Sequence, residues 1–147
     1  KMIKDGLALT GALTIAVNDV VVQETNNLVV TVGKKWVADR MNNVNTVMTH
    51  MAVGKDTTPN SGGTEVLVTD TTLADEVDRN ALTSTTVLNN TIAYACTWAA
   101  GDGTAAITEA GIFDASTGGD MLARTKFSVV NKGTADSITI TWTITIS

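Results

Sequence analysis

Residues 137–147, SITITWTITIS, alternate without a break between apolar and hydroxylated side chains. Isoleucine or tryptophan occupies the even positions from Ile138 to Ile146, and threonine occupies the odd positions between them. Because successive side chains of a β-strand point to opposite faces, this segment has one apolar face and one face of hydroxyl groups. β-Branched residues also suit the pleated, half-buried surface of a sheet. The stretch therefore predicts a central strand with Trp142 buried and its threonines turned to solvent or to a neighbouring subunit.

The composition is that of a protein with a hydrophobic core and few charges. Of the 147 residues, 44% are hydrophobic and 17% are charged. This length fits one core, so we expect residues 1–147 to form a single domain with an extended N-terminal segment. The net charge of −5 disfavours a nucleic-acid surface, which needs a basic stripe. No apolar run approaches the roughly 20 residues of a membrane span, and no secretory leader is evident, so we expect a soluble chain made in a cytoplasm.

Short alternating segments separated by turn residues recur along the whole chain. Asparagine, aspartate and glycine pairs, which tolerate positive φ, punctuate these segments. The predicted strands cover residues 7–17, 20–22, 28–32, 47–54, 80–88, 91–99, 106–113, 121–130 and 137–147. Such spacing predicts an all-β fold, a single antiparallel β-sandwich or jelly roll.

One segment departs from the strand pattern. Residues 34–42, KKWVADRMN, contain almost no β-branched residue and place Trp36, Val37, Arg40 and Met41 at helical spacing. They predict one short helix. Residues 71–79, TTLADEVDR, are ambiguous and suit either a helical turn or a loop.

The residue types that catalysis or metal binding needs are sparse. There is one histidine, His50, and one cysteine, Cys96, so no intrachain disulfide and no cysteine metal cluster can form. His50 lies in a predicted strand without a signal for a paired nucleophile, and Cys96 lies in an apolar run that predicts burial. The acidic residues around Asp75 and Asp102 lack the spacing of a calcium loop. We therefore expect a protein that is not an enzyme, with no metal and no cofactor.

Glu109 is a carboxylate inside an otherwise apolar strand, AITEAGIF. Because burying an unpaired charge is costly, such a group must be paired or hydrogen-bonded. Arg124 and Arg79 are the candidate partners. We expect a structural ion pair that holds the strand in register.

Several segments occur together in an informative order. They are MAVG at residues 51–54 followed by a Thr/Pro/Gly loop, LADEVDRNAL at 73–82, ITEAGIFD at 107–114, MLAR at 121–124, and the Thr/Ile/Trp ending. In this order they resemble small virion structural proteins of tailed bacteriophages, some of them tail-fibre-like and others capsid decoration proteins. The resemblance covers residues 47–147.

The resemblance implies a non-enzymatic viral protein that resides in the virion after assembly in the host cytoplasm. Fibre proteins of this kind carry a receptor-binding region after the module, whereas this sequence ends at Ser147. Our leading expectation is therefore a capsid cement protein that binds the major capsid protein and stabilises the head by bridging its subunits. The alternative is a tail fibre or baseplate adaptor or attachment protein that binds tail proteins.

We expect a homo-oligomer with no nucleic-acid or membrane partner. The candidate subunit contacts lie in the N-terminal segment, at Lys1 and Lys4, and in the loop of residues 55–64, at Lys55, Asp56 and Pro59. A carbohydrate-binding module is disfavoured, because the tryptophans fall in predicted strands or in the helix and not at loop tips.

Overall fold

The computed structural model describes residues 6–56 and 66–147, and within these ranges it contains ten strands and one helix. The elements are β1 (Leu9–Val17), β2 (Val20–Asn26), β3 (Leu28–Val29), α1 (Thr31–Met41), β4 (His50–Gly54), β5 (Glu76–Ala81), β6 (Ser84–Leu88), β7 (Thr91–Trp98), β8 (Ala105–Phe113), β9 (Met121–Lys132) and β10 (Ile138–Ile146). None of the described helices is long and apolar enough to cross a membrane.

The strands form two five-stranded sheets. Sheet A has the order β2-β1-β10-β7-β6, and sheet B has the order β3-β9-β8-β4-β5. Every strand pair is antiparallel. Side chains from both sheets share one hydrophobic cluster, so the sheets pack as a sandwich. The predicted all-β sandwich with one short helix is confirmed.

Strand β10 lies at the centre of sheet A, between β1 and β7. Its residues Ile138, Ile140 and Trp142 are fully buried, whereas Thr141 on the other parity is exposed. The apolar face contacts sheet B across the sandwich, where Met51, Ile107 and Ile112 belong to the same cluster. The alternation read from the sequence thus separates the interior of the sandwich from its outer surface.

A glycine and an asparagine position the indole of Trp142. Its Nε1 donates a hydrogen bond to Asn27 Oδ1 over 2.9 Å, which satisfies the one polar atom of the ring. Asn27 reaches this position because Gly11 on β1 has no side chain, and a Cβ there would lie 1.7 Å from Asn27 Oδ1. Gly11 is therefore required in the middle of an otherwise regular strand.

The helix begins earlier than the sequence pattern predicts. Residues 28–32 were expected to be a strand and 34–42 a helix, but β3 ends at Val29 and α1 runs from Thr31 to Met41. The reason is close packing at Gly33, where a Cβ would lie 2.1 Å from the carbonyl oxygen of Leu122 on β9. Gly33 lies in the first turn of α1 and, because it has no side chain, allows that turn to touch sheet B.

Two other predicted boundaries were wrong. Residues 71–79 were expected to be a helical turn or a loop, but from Glu76 onward they form β5, which pairs with β4. The strand predicted over residues 80–88 is two strands, because the chain leaves sheet B at Ala81 and enters sheet A at Ser84. The sequence pattern does not reveal this change of sheet, because the residues before and after it are both typical of strands.

Replacing Trp142 by alanine should cost about 3–5 kcal/mol of unfolding free energy, because it leaves a large cavity in the core. The control is Thr141→Ala on the exposed face of the same strand, which should change stability by less than about 1 kcal/mol. Urea denaturation followed by circular dichroism measures both. Equal effects of the two substitutions would contradict the central position of β10.

Candidate functional site

Glu109 on β8 and Arg124 on β9 form a buried ion pair. Glu109 is 0% exposed and Arg124 is 3% exposed. Arg124 donates to Glu109 Oε2 from Nη2 over 2.6 Å and from Nε over 3.0 Å. The two residues occupy diagonal positions across the strand pair, since Arg124 lies opposite Gly111 and Glu109 lies opposite Lys126. Of the two arginines considered from the sequence, Arg124 is the partner.

The ion pair also anchors the chain segment that precedes β5. Glu109 accepts hydrogen bonds from the backbone N–H groups of Ala74 (3.1 Å) and Asp75 (2.9 Å). Arg124 Nη1 donates to Asp70 Oδ2 over 2.7 Å. Burial on its own would lower the pKa of the Arg124 guanidinium, but the hydrogen bonds to Asp70 and Glu109 outweigh it, so its pKa is raised. Arg124 thus stays charged and ties the segment to sheet B.

Asp56 belongs to the same buried network. Its Oδ2 lies 2.8 Å from Lys126 Nζ and 3.7 Å from Arg124 Nη2. The side chain of Asp56 is 1% exposed. Asp56 was expected to make a subunit contact from the loop of residues 55–64, and this expectation was wrong. Its buried carboxylate instead neutralises Lys126 and Arg124 within the protein.

The other predicted contact residues are only partly described. Lys55 is exposed, in keeping with a surface position. Lys1, Lys4 and Pro59 lie outside the described residues, so their role as contacts stays a prediction.

Arg79 has a different role from the one considered for it. Its Nη2 lies 2.6 Å from Glu76 Oε1, and its guanidinium stacks on the Phe113 ring 3.7 Å from the centroid. Nη1 donates to the carbonyl oxygens of Ala115 (3.0 Å) and Gly118 (2.8 Å). Arg79 therefore holds the loop between β8 and β9 against β5.

Cys96 and His50 make local contacts. Cys96 is fully buried, and its Sγ lies 3.5 Å from the carbonyl oxygen of Ala81. Burial, and next the Asp78 carboxylate, raise the pKa of the Cys96 thiol to about 12. His50 Nδ1 lies 2.7 Å from Thr49 Oγ1. Among the described residues, no group of three or more His, Cys, Asp or Glu side chains is arranged to hold a metal ion.

The outer face of sheet A is the most distinctive surface. The strand register aligns the outward residues of β1, β10, β7 and β6 in continuous rows, for example Ala12, Thr143, Ala93 and Thr86. None of these outward side chains is charged, although the chain contains 25 charged residues (10 Lys and Arg plus 15 Asp and Glu). We call this surface the threonine face, and it comprises Thr10, Ala12, Thr14, Ala16, Thr139, Thr141, Thr143, Thr145, Thr91, Ala93, Ala95, Thr97, Ser84, Thr86 and Leu88.

The threonine face is suited to contact with another surface. Its side chains are short, so a partner can approach the backbone closely, and a partner desolvates no charge on it. Thr97 Oγ1 and Thr139 Oγ1 already share a hydrogen bond of 3.0 Å, while Thr141 remains exposed to offer its hydroxyl. Among the described strands of sheet A, an outward charge lies at the margin, on Glu24 of the edge strand β2. Sequence reasoning found the row on β10 but not the rows beside it, because strand neighbours and register are not visible in the sequence.

Comparison with known proteins gives no match. No protein-family model, no curated protein and no solved structure matches the chain. A functional interpretation therefore depends on the residues and their geometry.

Glu109→Gln should destabilise the fold by about 3 kcal/mol, because it removes one partner of a buried ion pair and leaves Arg124 undercompensated. Glu76→Gln is the matched control, since the Glu76 side chain is 36% exposed to solvent and Arg79 keeps its hydrogen bonds to Ala115 and Gly118 without it. That control should lose less than about 1 kcal/mol. The midpoints of urea denaturation at constant m-value measure the stability of both variants. If Glu109→Gln loses no more unfolding free energy than the control, the ion pair does not have the structural role described.

Cys96 should be almost inert to an aromatic disulfide reagent at pH 8 in the native protein, because the thiol is buried and protonated. Unfolding in urea should increase its rate of modification by roughly 100-fold or more. Absorbance of the released thiolate measures the rate. Native Cys96 reacting as fast as the unfolded chain would contradict its buried position.

Proposed function

We propose that this chain is a non-enzymatic structural protein of a tailed bacteriophage virion, and that it acts as a capsid decoration protein. The observation that carries the proposal is the threonine face, an uncharged surface that spans four strands of one sheet. The motif order that resembles phage virion proteins supplies the viral context. Both features favour an interaction module.

The distribution of charge supports a docking role for this face. Ionised side chains such as Glu109, Arg124 and Lys126 are gathered in sheet B, where they form internal pairs. On sheet A, the outward side chains of β1, β10, β7 and β6 are uncharged, and Glu24 lies at the margin on β2. Another protein can approach this neutral face without like-charge repulsion from it, even though the chain as a whole is negatively charged.

Docked copies would stabilise a head by adding contact area across the seams between capsid subunits. Each contact of a small β-module is weak, but many copies on one particle act together. The rigid sandwich supports this role, since the outward threonines sit on strands whose inward residues are locked in the core. We therefore propose that the threonine face makes the capsid contact and that the packed core beneath it holds the face in shape.

Thr141→Lys tests the proposal on purified particles. A lysine at the centre of the threonine face should lower occupancy on particles by at least roughly tenfold, because its charge is desolvated on docking. Thr134→Lys is the matched control, since Thr134 is exposed in the turn before β10. Quantitative gel densitometry of particles decorated with each variant measures occupancy. Equal binding of both variants would contradict the assignment of the face.

Particles that lack the protein distinguish the capsid from the tail. Depleted capsids should keep their shape but release DNA at a lower temperature, which a thermal release assay with a DNA-binding dye measures. Many copies per particle are expected. Depleted particles that are equally heat-stable and fail only in adsorption would instead identify a tail adaptor.

A further inference from the structure

Three of the four edge strands of the described sandwich carry features that block pairing with another strand. Strand β2 contains a bulge opposite Ile15 and Ala16, and β3 is two residues long. Strand β5 carries Glu76, Asp78 and Arg79, and its register with β4 is also interrupted. Bulges, short length and charge are the usual means by which proteins protect sheet edges.

The β2 edge is additionally fastened to the opposite sheet. Gln23 Nε2 donates to the carbonyl oxygen of Ser128 over 2.5 Å, and Ser128 N donates to Gln23 Oε1 over 3.2 Å. The side-chain amide thereby occupies the backbone N–H and C=O groups of Ser128 and links β2 to β9.

Strand β6 has none of these protections. Its sequence, STTVL, contains no charge and no proline, and its pairing with β7 runs without a register shift. All five of its residues are exposed, and Val87 and Leu88 are 69% and 67% exposed. Leu88 and Thr91 flank a two-residue turn, so Thr86 directs its backbone groups to β7. The N–H and C=O groups of Thr85 and Val87 consequently point away from the sheet.

An apolar groove of about 420 Å³ continues inward from this edge. Its lining includes Val87 of β6, Ile92 of β7, and Val37 and Met41 of α1. Met41 is 82% exposed. A strand added to β6 would therefore gain backbone hydrogen bonds and also shelter apolar side chains, which is how β-augmentation works.

We propose that two copies of this chain pair edge to edge through β6, antiparallel and about a two-fold axis at Thr86. In this register Thr86 lies opposite Thr86 of the second copy, Thr85 lies opposite Val87, and Ser84 lies opposite Leu88. Thr85 and Val87 then exchange their outward N–H and C=O groups in both directions. Each copy has one such edge, so the isologous contact closes at a dimer.

Charge and area both favour a second copy as the occupant. The chain carries a net charge of −5, yet β6 contributes no charge, so identical edges meet without repulsion. A five-residue edge is roughly 17 Å long. Together with the rim of the groove it buries on the order of 1,000 Å² in total, which is the low end for a specific interface and is in keeping with a dimer that forms as the concentration rises. The pairing also joins two threonine faces into one ten-stranded sheet surface.

Thr86→Lys and Thr86→Glu test the pairing in solution, without particles, so the outcome is independent of the virion assignment. Each substitution places two like-charged side chains opposite each other on the two-fold axis, where the two Cα atoms are about 4.5 Å apart. The repulsion between these side chains should weaken the dimer on the order of 100-fold. Sedimentation equilibrium should show the wild type shifting toward twice its 15.3 kDa mass with concentration, and each variant staying monomeric. An equimolar mixture of the two variants should dimerise again, because lysine then faces glutamate.

Thr134→Lys, which adds the same charge in a distant turn, should dimerise like the wild type. Circular dichroism checks that all variants are folded, and recovery in the mixture excludes misfolding as the cause of dissociation. A wild type that stays monomeric up to millimolar concentration would overturn the proposal. So would a dimer that persists in both Thr86 variants, since the contact would then lie elsewhere.

Discussion

Strand β10 is hydrogen-bonded on both sides, and this constraint fixes the rest of sheet A. A strand with two neighbours has no free edge, so its side-chain parity determines which residues of β1 and β7 face inward. Ile140 lies between Ile15 and Cys96, and all three are fully buried. A slip by one residue would bring the threonines into the core. The register is therefore set by the apolar face of one strand.

The two sheets differ in where their charged side chains lie. Sheet B contains a buried network of ionised groups, in which Glu109 and Asp56 neutralise Arg124. Because removing one member would leave the others unpaired, this network specifies how the segment before β5 packs. Strands β1, β10, β7 and β6 of sheet A have no such network on their outward face, where the side chains are neutral. The buried ion pairs thus belong to sheet B, and the threonine face of sheet A carries no charge that contact with a partner would desolvate.

The fold class, the central strand and most turns could be predicted from the sequence, because alternation and turn residues are local signals. Asn89, for example, adopts φ of 53° between β6 and β7, as its position between two strands predicted. The start of α1 could not be predicted, since it depends on the contact of Gly33 with Leu122, which is distant in sequence. The sequence indicates that Glu109 needs a cationic partner. It does not indicate that Asp56 and Asp70 also bind Arg124, because both are distant from Arg124 in sequence. The threonine face was visible on β10 alone, because its width depends on strand order.

The outer ends of the first and last strands of sheet A lie side by side. Ala8 N donates to the carbonyl oxygen of Ser147 over 2.7 Å, and Ser147 N donates to that of Ala8 over 2.9 Å. A short peptide linker could therefore join these positions without distorting either strand. The same adjacency makes the sandwich suitable for insertion as a unit into a loop of another protein. A guest sequence fused at either position would emerge at one end of the sandwich and leave the turn at Asn18 at the opposite end unobstructed.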